Sequence, residues 1–121
     1  MDYAAALMQQ NHLLSELLRD ADWSAPVPTC PGWTLLQLLR HVGRGDRWAA
    51  QIIADRVTDG LDPRAVRDGR PPADMPGAVQ WLSDSPRLLL ATVRRRAAED
   101  VDIEIEGDTA LWRSWLELTP L

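Results

Sequence analysis

The stretch Pro28-Thr29-Cys30-Pro31-Gly32-Trp33-Thr34, with the apolar run that follows it from Leu35 to about Val57, decides the fold. Thr34 followed three residues later by Gln37 is a capping box. The Thr34 hydroxyl accepts from the Gln37 N–H, and the Gln37 side chain reaches back to the N–H of Thr34. Trp33, just before the cap, is spaced to pack on Leu38 as a hydrophobic staple. Pro31-Gly32 supplies a turn, and Pro28 and Pro31 stiffen the approach. The entry angle of a helix is therefore closely specified.

Two heptad-spaced stripes run down that helix. One is Leu35, Leu39, Val42, Asp46, Ala49 and Ile53. The other is Leu38, His41, Gly45, Trp48 and Ile52. Side by side they predict a broad buried face, as in a bundle core helix. His41, Gly45 and Asp46 are out of character there, since a glycine inside a helix costs about 1 kcal/mol relative to alanine. His41 reads either as a hydrogen-bonded core histidine beside a close helix crossing or as a metal ligand reaching into the bundle centre.

Working outward, the chain has 121 residues, which suits a single domain over 1–121 with a real core. Apolar residues make up 45% and charged residues 26%, the balance of a globular protein. No apolar run reaches membrane-spanning length and no signal peptide is evident, so a cytoplasmic protein with no membrane partner is expected. The single cysteine leaves no internal disulfide and fits a reducing compartment. A net charge of −5 argues against a nucleic-acid partner. Arg94-Arg95-Arg96 reads as a solvated helix end complementing the helix dipole. Cys30, between Thr and Pro, reads as a small packed apolar residue.

Residues 3–20 predict a first helix with Tyr3, Leu7, Gln10, Leu14 and Leu17 on one stripe, widened by Leu13 and Leu18, and closed by Trp23. His12 is expected to pair with Glu16 on the surface. Residues 61–74 read as a long loop, able to fold over the open end of a bundle. A third helix is expected from about Pro76 to Ala98, kinked or split by Pro86. Val101-Asp102-Ile103-Glu104-Ile105-Glu106 alternates with period two, the pattern of a strand or an acidic extended segment. A last helix would start at Asp108 or Thr109 and carry Leu111, Trp112, Trp115, Leu116 and Leu118. At about ten residues it must dock to be stable.

The run VPTCPGWTLLQLLRHVGRGDRWAA, Val27 to Ala50, resembles the N-terminal metal-binding domain of mycothiol-dependent maleylpyruvate isomerases. Those domains belong to the DinB-like superfamily of four-helix bundles. The turn followed by His41, seven residues after Thr34, is the most specific part, and Asp68-Gly69-Arg70-Pro71-Pro72 also looks like actinobacterial members. The resemblance implies an all-α, DinB-like four-helix bundle, here with a short or incomplete last helix and one acidic extended segment. It implies a divalent metal, zinc first, held by a second-helix histidine and a Glu-x-x-x-His pair on the last helix, with mycothiol activated at the open position.

By that match His41 is the first metal ligand, and no other ligand carries over. No Glu-x-x-x-His occurs, His12 and His41 are the only histidines, and Asp46 stands where a second histidine is frequent. His41 and Asp46, five residues apart, project about 140° from each other around a helix, a poor chelating angle. Two function classes follow. One is a metal-binding, mycothiol-dependent isomerase or transferase domain with its site incomplete in this chain, taking a small thiol or other small-molecule ligand. The other is a non-catalytic helical dimerisation or binding module, without a cofactor, that kept the bundle and lost the site. It would act as a homodimer or be a truncated family member.

Overall fold

The computed structural model describes residues 2–99 and 110, with side chains as far as Arg94 and at 110. Among these it contains three α-helices, α1 (Tyr3–Arg19), α2 (Leu35–Asp55) and α3 (Met75–Glu99), and one short 3-10 turn, Pro63–Ala65. The all-α class is as expected. The alternating segment 101–106 and the last helix lie outside the described residues, so three helices stand where a four-helix bundle was expected. None of the three is long and apolar enough to cross a membrane.

Each helix begins where its cap dictates. Asp2 caps α1 by accepting from the Ala5 N–H at 2.9 Å. Thr34 caps α2 with both halves of the predicted box in place. Its Oγ1 accepts from Gln37 N at 3.3 Å, and Thr34 N donates to Gln37 Oε1 at 2.8 Å. Helix α2 stops two residues earlier than the apolar run suggests, because Arg56 turns left-handed (φ 52°, ψ 46°) and its cap N–H closes on Ile52 O. Pro86 neither splits α3 nor ends it. It lies fully buried inside one continuous helix, and the core packed around it holds the chain helical despite the lost N–H.

The contacts fix the directions. Leu18, near the end of α1, shares a buried cluster with Leu39 and with Ala78, Trp81 and Leu82, near the starts of α2 and α3. Helix α1 therefore runs antiparallel to the other two. Between α2 and α3 the contacts advance in the same sense. Gly43 meets Trp81, Arg47 meets Ser85, and Ala50 and Ala54 line one groove with Leu88 and Thr92. The two are parallel neighbours, so the chain must travel back the length of α2, about 30 Å for its 21 residues, before starting α3. The long segment 56–74 makes that return. It runs along the side of the α2–α3 pair, not over an open end. Trp48 Nε1 donates to Leu61 O at 2.7 Å, Arg44 Nε to Gly69 O at 3.0 Å, and Trp81 Nε1 to Asp68 O at 2.8 Å.

The buried face of α1 differs from the expected stripe. Ala4, Asn11, Ser15 and Leu18 are buried, whereas Tyr3, Leu13 and Leu17 are 63%, 54% and 64% exposed. Small side chains let α3 approach α1 closely, and the large ones fall to the flank. Trp23 closes α1 as predicted, its Nε1 donating to Leu18 O at 2.7 Å. Glu16 pairs with Arg19 at 2.9 Å instead of His12, since the guanidinium one turn on is a permanent cation.

Candidate functional site

The turn before α2 is braced across its own width. Val27 N donates to Trp33 O (2.9 Å), Cys30 N to Val27 O (3.1 Å) and Trp33 N to Cys30 O (3.0 Å). Pro26 forms a bridge with Thr34, and Gly32 supplies the positive φ of 82° that the reversal needs. Two further bonds, from Leu35 N to Ala25 O and from Leu36 N to Trp23 O, fasten the start of α2 to the chain leaving α1. A rigid turn of this kind fixes the rotation of α2 about its axis, and so the direction in which each of its side chains points.

His41 points out. The buried residues of α2 are Leu39, Gly43, Arg47 and Ala50, and His41 is 180° around the helix from Ala50 at 100° per residue. The imidazole is exposed and meets the Trp33 ring edge-on, with centroids 5.0 Å apart and planes at 76°. This corrects the expectation of a histidine on the buried face. Of the two apolar stripes, the one through Leu39 faces the core. The one through Leu38, His41, Gly45, Trp48 and Ile52 faces away from α3, with Leu38 and Ile52 half-buried and a Cβ-sized space at Gly45 open.

That orientation decides how the described residues fit a metal. Asp46 lies on the inner side, so it and His41 do not converge. Among the described residues no three of His, Cys, Asp and Glu come together in an arrangement able to hold an ion. A catalytic zinc centre wants three protein ligands and an open position. The described residues, with no such group of three around His41, do not fit such a centre. Asp46 is half-buried. Its Oδ2 is shut off from solvent with no hydrogen-bond partner, and burial pushes its pKa above the usual 3.8 while neighbouring Arg47 pulls the other way.

Behind the outward face lies a cluster that the sequence reading passed over. Arg47 is only 8% exposed. Its Nε donates to Ser85 Oγ (3.1 Å), one terminal nitrogen to Asp68 Oδ2 (2.7 Å) and the other to the Trp81 carbonyl (3.1 Å). Its Cζ also stands 5.1 Å from the centroid of the Trp81 ring. Trp81 reaches this position only because residue 43 is a glycine. A Cβ there would collide with the ring, standing 2.6 Å from its Cη2. Arg47 thus ties α2, α3 and the returning segment together. It borders a shallow groove of about 220 Å³, where Arg67 is already held by Asp55 (2.7 Å). The one sequence signal was the small residue at 43, four before an arginine, on the Leu39 face.

These residues build a braced scaffold with the His41 imidazole facing outward, and the chain compares accordingly. No curated protein and no solved structure matches it. A family sequence profile does, over residues 4–119, which reaches well beyond the turn and His41 into the C-terminal segment. The chain belongs to the family described as the mycothiol maleylpyruvate isomerase N-terminal domain.

Proposed function

We propose that this chain is a non-catalytic helical association module of its family, acting as a homodimer. The carrying observation is that His41, the one residue matched to a metal ligand, stands outward and belongs to no group of three donors among the described residues. Supporting it, the flanks of α1 and α2 carry large apolar side chains in solvent. Leu13 and Leu17 are more than half exposed, and Trp48 is 36% exposed. Leu13 and Leu17, four residues apart on α1, share one exposed face of that helix, which favours an interaction surface there. In this reading the bundle is completed by exchange between two chains. The partner is protein; the acidic charge disfavours nucleic acid. A cytoplasmic home and an actinobacterial source belong to the same proposal.

Light scattering on the eluting, purified chain tests this. The expected mass is twice 13.6 kDa. A monomer with a complete, cooperative unfolding transition overturns it.

A second reading is favoured by family membership and by the register of His41 after the braced turn. It is a divalent-metal, zinc-holding domain that uses mycothiol for isomerisation or transfer, with His41 as one ligand. It requires donors from beyond the described residues or from a second chain.

A further inference from the structure

The segment that returns from α2 to α3 brings Arg64, Arg67 and Arg70 alongside Arg44 and Arg47 of α2. Two of these five guanidiniums are paired. Asp68 holds Arg47 and Asp55 holds Arg67, each at 2.7 Å. The other three, Arg44, Arg64 and Arg70, have no carboxylate partner among the described residues. Together with Pro63, Val66 and Gly69 they line one recess of about 40 Å³, and no acidic residue lines it.

Guanidiniums gathered in one concavity repel one another unless a negative charge joins them. The chain has 18 acidic residues against 13 basic ones, so counter-ions are not scarce. Three carboxylates of the returning segment are nevertheless engaged elsewhere. Asp62 Oδ1 accepts from the Arg64 backbone N–H at 2.9 Å, Asp68 Oδ2 from Arg47, and Asp74 Oδ2 from the Gly77 N–H at 2.7 Å.

The walls of the recess are fixed. Arg44 is half-buried, and its Nε donates to Gly69 O at 3.0 Å, which sets the guanidinium against one wall. Val66 and Gly69 are buried and joined by the bond from Gly69 N to Val66 O at 3.1 Å. The turn they make is pinned from its other side, where Trp81 Nε1 donates to Asp68 O and Arg67 N to Gln51 Oε1, both at 2.8 Å. Arg64 sits in the 3-10 turn that Asp62 caps. Groups held this way have less freedom to lose when a ligand binds. The volume admits about three water-sized groups at roughly 10–15 Å³ each, the scale of one charged head group.

We propose that Arg44, Arg64 and Arg70 form a binding site for a small oxyanion, the carboxylate or phosphate group of a small molecule. A guanidinium fork meets such a group two oxygens at a time, and the ligand supplies the negative charge that the recess lacks. The site does not use His41 and does not rest on the association proposed above.

The test is a titration of the nitrogen-15-labelled full chain at pH 7 with sodium acetate, sodium phosphate, or sodium chloride at matched ionic strength. The Val66 and Gly69 amides and the arginine Nε–H resonances report on the recess. Acetate or phosphate is expected to give saturable shifts, half complete on the order of 1–10 mM, that chloride does not give. Tighter binding of acetate identifies an organic acid as the ligand class, and tighter binding of phosphate a phosphate ester. Arg64→Gln and Arg70→Gln, both at exposed positions, should each weaken binding by about three- to tenfold. Arg67→Gln removes the same charge from the same segment but not from the recess, and should change binding by less than about 1.5-fold. Shifts that rise without saturating, that chloride reproduces, or that Arg67→Gln weakens as much as the other two variants do, overturn the site.

Discussion

Replacing Gly43 and Gly45 by alanine, one at a time, should have opposite effects although the two lie two residues apart on α2. In an exposed helix interior the exchange stabilises by about 1 kcal/mol, because alanine leaves less backbone freedom to lose. Gly45 meets that condition, since nothing lies within 4 Å of the position its Cβ would take. At Gly43 the new methyl meets three atoms of the Trp81 ring. That ring cannot swing aside freely. Its Nε1 is bonded to Asp68 O at 2.8 Å, Arg47 lies against its face, and the residue is 5% exposed. Overpacking of this kind costs about 1–3 kcal/mol. Offset by the propensity gain, Gly43→Ala is expected to destabilise by about 1–2 kcal/mol. The two variants should then differ by about 2–3 kcal/mol, which in a urea titration separates their midpoints by on the order of 1 M. Helical circular dichroism follows the transition, and Trp fluorescence checks that it is two-state. A Gly43→Ala protein as stable as the wild type would refute the packing of Trp81 against α2, and with it the parallel pairing of α2 and α3.

Other outcomes follow from the same contacts. Thr34→Ala removes the hydroxyl half of the capping box and should cost about 1 kcal/mol in the same titration, with Thr34→Ser close to wild type. Arg47→Ala removes three side-chain hydrogen bonds and the packing on the Trp81 ring, while Ser85 Oγ still donates to the Trp81 carbonyl, and should cost about 1–3 kcal/mol, with the Asp68 bond counting least because Asp68 is largely exposed. Asp55→Ala, which breaks the exposed pair with Arg67, should cost no more than about 0.5 kcal/mol. Asp46 has a folded-state pKa raised by burial, so the folded protein binds its proton more tightly than the unfolded chain does. Its contribution is full below the unfolded value near 3.8 and is lost as pH rises through the folded value. Asp46→Asn should remove that slope, making the difference in urea midpoint between variant and wild type grow from pH 3.5 to pH 7 in the variant's favour. A difference that does not change with pH would show that the carboxyl is not buried as described.

Much of the fold was legible because the signals were local. The capping box, the Gly32 turn and the closing Trp23 each depend on a few adjacent residues and stand as expected, whereas the long segment before α3 runs along the α2–α3 pair and not over an open end. The orientation of α2 was not legible. Its two apolar stripes have equally good helical period, and period reports a face without reporting what covers it. The core took neither stripe whole but the line Leu39, Gly43, Arg47 and Ala50, because a glycine admits the Trp81 ring and the ring accepts a guanidinium on its face. A polar residue on that line gave no sign of this in a count of apolar positions. On α1 the same counting favoured Tyr3, Leu13 and Leu17, whereas close approach of α3 selected Ala4, Asn11 and Ser15. His41 was expected on the buried face and stands outward, because its spacing from the turn gives its distance along the helix and says nothing of what packs against it.

Metal analysis of the purified full chain at neutral pH, beside His41→Ala, bears most directly on whether this family member assembles a metal centre. With His41 facing outward and in no group of three donors among the described residues, the expected result is less than one equivalent of zinc, nickel or manganese in both proteins, and no loss of metal on removing His41. One equivalent bound by the wild type and lost in His41→Ala would contradict it.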